Sequence, residues 1–196
     1  EYGMFIPVGA SVREVIDSVA SECLSQHFDE KYPDYPSFGK LQTPMTKDSL
    51  ATYVQDALKN LNGANTRQGY AILNGLVLLD EKDKVHPRQS GYAKWVIDKL
   101  EQKAQGQVIN QSEFIEDVYT SQGTEDIKQT IEFNMEPELF AVILAALVKN
   151  GDIVITIDGK SYDAMNFDEL VKVPLKDFTN FSHIKSIDFK FFIFNV

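Results

Sequence analysis

Gly159-Lys160-Ser161 mimics the end of a phosphate-binding loop, and it is the place in this 196-residue chain where residue type and spacing first suggest chemistry. Such a loop needs another glycine five residues before Gly159, and Val154 stands there. The triplet also follows Asp158 in a hairpin signal instead of opening a helix, so its amides are not expected to cradle a phosphate. The histidines His27, His86 and His183 are widely scattered, no HExxH pair occurs, and a single cysteine gives no zinc signature. There is no GxSxG elbow either. Asp29-Glu30 and Asp168-Glu169 read as solvated acids at helix ends, not as paired catalytic carboxylates. No catalytic residue, metal ligand set or cofactor site is therefore expected, and the chain reads as non-enzymatic.

Lys82, Lys84, His86, Arg88 and, one or two turns on, Lys94 form the densest run of bases, with Tyr92 nearby. One reading is a phosphate-contacting patch at the tip of a wing or loop, with Lys160 adding to it. Glu81 and Asp83 interrupt the run, so an alternating charged loop is the simpler reading. The net charge of −10 also opposes nonspecific DNA binding, which depends on Lys and Arg neutralising phosphates. A local patch remains compatible with that total.

Cys23 cannot form an internal disulfide, which fits a reducing, cytoplasmic setting. No apolar run reaches the roughly 20 residues of a membrane helix, and no membrane partner is expected. A start at Glu1 in place of Met fits a piece of a longer protein.

The elements that must position these residues are organised around Met135 to Ala164. Leu139 to Val148 is apolar throughout, and Glu136-Pro137-Glu138 is a helix entrance with acids at the positive end of the dipole. Asn150-Gly151 supplies the stop. Asp152–Thr156 then turns β-branched and Asp158-Gly159 marks a two-residue hairpin turn. LFAVILAALV carries no side chain able to read base edges, so this helix is core or packs on a partner.

Upstream, Ser11 and Glu14 form a capping box for a helix through about Phe28. Its inward stripe is Val12, Val15, Ile16, Val19, Cys23 and Leu24, which makes Cys23 a buried core thiol. Tyr32 to Pro44 reads as an extended connector pinned by Tyr32, Tyr35 and Phe38, or alternatively as a binding groove. A second helix is capped by Thr46 or Asp48 and ends at Asn62-Gly63. Thr66 caps a third, Arg67–Leu79, containing Gly69 and Gly75. Asp80 to Pro87 is a charged loop or short β excursion, and Arg88–Lys103 a fourth helix anchored by Trp95. Ser112 caps a fifth helix containing Phe114, Ile115, Val118 and Tyr119, followed by a looser stretch from Gly123 to Phe133. Beyond the hairpin, a short turn near Leu170 and irregular structure or a brief helix over Pro174–Phe181 lead to IDFKFFIFNV, a docked strand or an exposed edge.

The segments HFDEKYPDYPSF, GYAILNGLVLLD, HPRQSGYAKWVIDKL, GQVINQSEFIE and EPELFAVILAALVKNGDIVITIDGKSYDA resemble an internal region of very large bacterial ATPases of the PglY type. Those ATPases belong to phage-growth-limitation and BREX defence systems. The likeness runs from about His27 to Ile184, and FKFFIFNV departs from it. It implies a non-catalytic segment whose nucleotide-binding residues lie elsewhere in the parent, with assembly or DNA contact as its task.

The expected fold is α+β and mainly helical, with a helical body and a C-terminal winged-helix-like unit made of a helix and a β-hairpin wing. Two tandem winged-helix-like halves split near Gly106 are the variant reading. The expected divisions are a helix and connector over 1–45, a helical subdomain over 46–105, the winged unit over 106–165 and an extension over 166–196. The expected function is protein interaction or scaffolding, with other subunits or other domains of the parent ATPase as partners. The alternative is a DNA-contacting module using Lys82, Lys84, Arg88, Lys94 and Lys160.

Overall fold

The computed structural model describes residues 11–104, 106–119 and 126–187. They fall in two compact units, Glu1–Tyr35 and Pro36–Val196. The first contains helix α1, Val12–Lys31, where Phe28 in the last turn meets Tyr32 at a tilt and Tyr35 edge-on, with ring centroids 4.9 and 5.2 Å apart. The expected inward stripe is corrected here, since Val12, Ile16 and Leu24 are exposed. Cys23 is exposed as well, because the unit supplies no second apolar layer among its described residues.

The second unit is a mixed α+β fold; across the described residues as a whole, about half are helical. Helix α2, Lys47–Leu61, is capped by Thr46, whose hydroxyl accepts from the Ser49 amide, and it buries Leu50, Val54, Ala57, Leu58 and Leu61. Thr66 caps α3, Arg67–Gly75, in the same way. The third helix stops four residues earlier than its expected end at Leu79. Val77 turns to φ +55° and the Leu78 amide reaches back to the Leu73 carbonyl at 2.9 Å.

Gly69 explains how closely α2 and α3 approach. A Cβ at that position would stand 2.4 Å from the Asp56 carbonyl oxygen. Glycine to alanine inside a helix ordinarily gains about 1 kcal/mol. Here the helices must separate, so Gly69→Ala is expected to lose about 1–3 kcal/mol in urea unfolding, as overpacked cores do. Gly91→Ala, with nothing within 4 Å of the added carbon, serves as the tolerated control.

The fourth helix is also shorter than expected: Pro87–Gln89 form a 3-10 turn, and α4 is Gly91–Glu101. Strand β1, Ile109–Asn110, follows. The expected fifth helix is overturned, since Gln111–Glu113 make one 3-10 turn and Ile115–Tyr119 run on as strand β2. The Glu113 carboxylate accepts from the Asn110 amide at 3.2 Å, which closes the turn at Asn110 instead of capping a helix at Ser112. The stretch read as looser contains β3, Asp126–Thr130, paired antiparallel with β2.

Helix α5, Pro137–Asn150, begins and ends where expected, with Pro137 in the first turn and Gly151 left-handed at φ +78°. Every side chain from Leu139 to Val148 is buried. Strands β4, Ile153–Ile157, and β5, Lys160–Tyr162, form the expected hairpin, with Asp158 and Gly159 at φ +48° and +76° as its turn demands. Short helices α6, Phe167–Leu170, and α7, Leu175–Thr179, lead to strand β6, His183–Ser186.

The hairpin is half of a four-stranded antiparallel sheet ordered β1-β6-β4-β5. One row crosses all four strands, with Ile109 opposite Ile184, Ile184 opposite Ile155 and Ile155 opposite Tyr162. All four side chains are buried. At one end of α5, Phe140 meets Trp95, Phe114 and Phe181, with centroids 5.8, 5.4 and 6.5 Å away. Trp95, read from the sequence as a core anchor, is half-buried, with its ring edge-on to Phe114, Phe133 and Phe140. The reading of IDFKFFIFNV as a docked strand or exposed edge falls on 187–196, of which only Ile187 lies within the described residues.

Candidate functional site

The charged segment after α3 folds as a tight turn. Leu79 bridges Val85, and the Asp80 carboxylate accepts from the amides of Lys82 and Lys84 at 2.8 and 2.9 Å. Asp83 stands at φ +58° inside it. The two amide bonds, that of Lys84 first, hold the Asp80 carboxyl below its usual range. A depressed carboxyl adds stability that is complete above its unfolded pKa of about 3.9 and is lost as pH falls through the lower folded value. The turn is therefore expected to loosen only in strong acid. In Asp80→Ala, which removes the acceptor, it loosens at neutral pH, read as faster amide exchange at Lys82 and Lys84 and unchanged exchange in α5.

Of the five expected contact residues, Arg88 and Lys160 pair with carboxylates. Lys82 and Lys84 are exposed on this turn, and Lys94 is exposed on α4. The Arg88 guanidinium donates through Nε and Nη2 to one oxygen of Asp152, at 2.8 and 2.6 Å. The Asp152 side chain is 2% exposed against 61% for Arg88. The other Asp152 oxygen accepts from Asn150 Nδ2 at 2.7 Å, so the pair ties the 87–89 turn to the C-terminus of α5. Lys160, on β5, pairs with Glu169 and lies over the Tyr162 ring, and the Glu169 contact pushes its pKa up.

The remaining chemical motifs have local duties. Ser161 of the Gly159-Lys160-Ser161 triplet hydrogen-bonds Thr156 across the hairpin at 3.1 Å. Asp168 pairs with Lys172, and Glu169 with Lys160. His183 is paired into β6, opposite Asn110 and Thr156. Among the described residues no group of three His, Cys, Asp or Glu side chains is placed to hold a metal ion. No helix among them is long and apolar enough to cross a membrane. Glu113 has a carboxyl lowered first by its 2.6 Å bond to Lys103 and then by the Asn110 amide.

Two concavities stand out, one of them lined in part by residues 40–43 of the stretch whose alternative reading is a binding groove. An open groove of about 370 Å³ lies between the α2–α3 connection and the charged turn, lined by Asn60, Tyr70, Leu73, Leu79, Asp83 and Val85. A smaller cavity of about 50 Å³ is lined by Lys40, Gln42, Thr43, Tyr53, Arg67 and Gln68. Tyr70 links them: its hydroxyl donates to Asp83 at 2.7 Å and accepts from Lys40 Nζ at 2.9 Å. The fold brings 40–43 to Tyr53 of α2 and to Arg67 and Gln68 at the start of α3, partners that the sequence order does not mark.

The fold and its surface therefore define a mixed α+β unit with a small antiparallel sheet. The family model described as "Family of unknown function (DUF6079) 4th domain" matches residues 50–186, and the chain belongs to that family. That span includes all the elements from α2 to β6 apart from the first turn of α2. No curated protein and no solved structure matches the chain.

Proposed function

We propose that this chain is a non-catalytic protein-interaction or scaffolding module, a segment of a cytoplasmic ATPase of the PglY type that its sequence resembles. The observation that carries the reading is the fate of the cations. Arg88 and Lys160, two of the five that DNA contact would use, are bound to Asp152 and Glu169. Phosphates would have to displace those carboxylates, against a net charge of −10. Exposed Val108, Ile127 and Ile131 supply apolar surface suited to other subunits or other domains of a parent protein.

The second reading is a DNA-contacting winged-helix module, favoured by the order of α5 and the β4–β5 hairpin and by the exposed Lys82 and Lys84. A fluorescence-anisotropy titration of labelled duplex at about 50 mM salt separates the two. The interaction module shows no saturable binding. Saturable binding that weakens steeply with salt and is lost in the Lys82→Gln/Lys84→Gln variant overturns it and selects DNA.

A further inference from the structure

We propose that the cavity between residues 40–43 and the start of α3 binds a single dianionic phosphate group, as inorganic phosphate or the end of a phosphate monoester. The chain has 29 acids against 19 Lys and Arg, yet two cations and no carboxylate line this cavity. Five cations elsewhere pair with acids: Lys59 with Asp56, Arg88 with Asp152, Lys103 with Glu113, Lys160 with Glu169 and Lys172 with Asp168. Lys40 and Arg67 bond instead to neutral oxygens, the Tyr70 hydroxyl at 2.9 Å and the Gln42 carboxamide at 3.3 Å. Those bonds hold the two head groups without a direct carboxylate partner; the Asp83 carboxylate is reached from Lys40 only through the Tyr70 hydroxyl.

The lining suits an oxyanion. A guanidinium offers a planar fork of donors and an ammonium a compact point charge. Thr43, Tyr53 and Gln68 contribute two hydroxyls and a carboxamide. The volume of about 50 Å³ exceeds the roughly 10–15 Å³ that one water needs on the same measure, which leaves room for a phosphoryl group. Charge decides between ester types, because a monoester carries about −1.5 to −2 at neutral pH and so matches two cations. A nucleic-acid phosphodiester carries one charge per phosphate.

The test is an amide-resolved NMR titration of the whole chain with inorganic phosphate at constant ionic strength, with chloride as the reference. Saturable shifts confined to residues 40–43, 53 and 67–68 are expected. Lys40→Gln and Arg67→Gln should each weaken binding at least tenfold, with the remaining spectrum unchanged, while Lys82→Gln leaves it as it was. Glycerol phosphate should bind as inorganic phosphate does if the natural ligand is an ester; binding of inorganic phosphate alone assigns the site to the free ion. Dimethyl phosphate, a monoanion, should bind at least tenfold more weakly than either. Shifts no larger than chloride gives, equal binding of the diester, binding insensitive to both substitutions, or duplex DNA saturating the same amides more tightly than phosphate would each overturn the proposal.

Discussion

Phe140→Ala is expected to be the most damaging single substitution in the chain, costing about 3–5 kcal/mol. Phe140 is 1% exposed and its ring meets Trp95, Phe114 and Phe181. Truncation therefore removes a large buried side chain and leaves a void that neighbours on α4, the α7–β6 connection and the 111–114 turn cannot close together. Against a typical domain stability of about 5–15 kcal/mol, this brings the fold near its limit. Trp95 is the chain's single tryptophan and lies in the affected cluster, so its fluorescence in a urea series reports the loss directly. The midpoint should fall at constant slope. Met165→Ala, at a side chain 94% exposed, should stay within about 0.5 kcal/mol of the parent. A loss below about 1 kcal/mol for Phe140→Ala would show that the cluster is not the core.

Arg88→Ala is expected to cost about 3 kcal/mol, the low end for breaking a buried ion pair, since the guanidinium itself is partly in water. What remains is an Asp152 carboxylate, 2% exposed, with Asn150 as its bonding side chain. Removing the other partner is less severe. Asp152→Ala returns Arg88 to solvent and should cost about 1–2 kcal/mol, the scale of lost charged hydrogen bonds. The double variant should be more stable than Arg88→Ala alone, because the orphaned charge goes with its partner. Thermal or urea melts of the three variants test this ordering, and equal losses in the two single variants would refute it.

What could be read beforehand follows from how local each cause is. The ten apolar residues of α5, its proline entrance and glycine exit, the Asp158-Gly159 turn and the caps at Thr46 and Thr66 depend on neighbours within a few positions, and all stand as expected. The segment 112–119 was misread because Phe114, Ile115 and Val118 satisfy a helical spacing equally well. Pairing with 126–130, together with the early closure of the turn by Glu113, decides for strand. Strand β6 has a single fully buried apolar residue, Ile184, so its place depends on β1 and β4. The same holds for the site. Lys82 and Lys84 were legible as a charge run, but Arg88 meets Asp152 from 64 residues away. Lys40 and Arg67 share a cavity only through the fold.

The sheet order has a consequence for biosynthesis. Because His183–Ser186 fills the slot between β1 and β4, the strand carrying Ile153, Ile155 and Ile157 leaves the ribosome well before the neighbour that completes it. Throughout that interval the nascent chain presents one bare flank of a very apolar ribbon. Ribosome-associated holdases should engage it there, and release should coincide with emergence of residue 186.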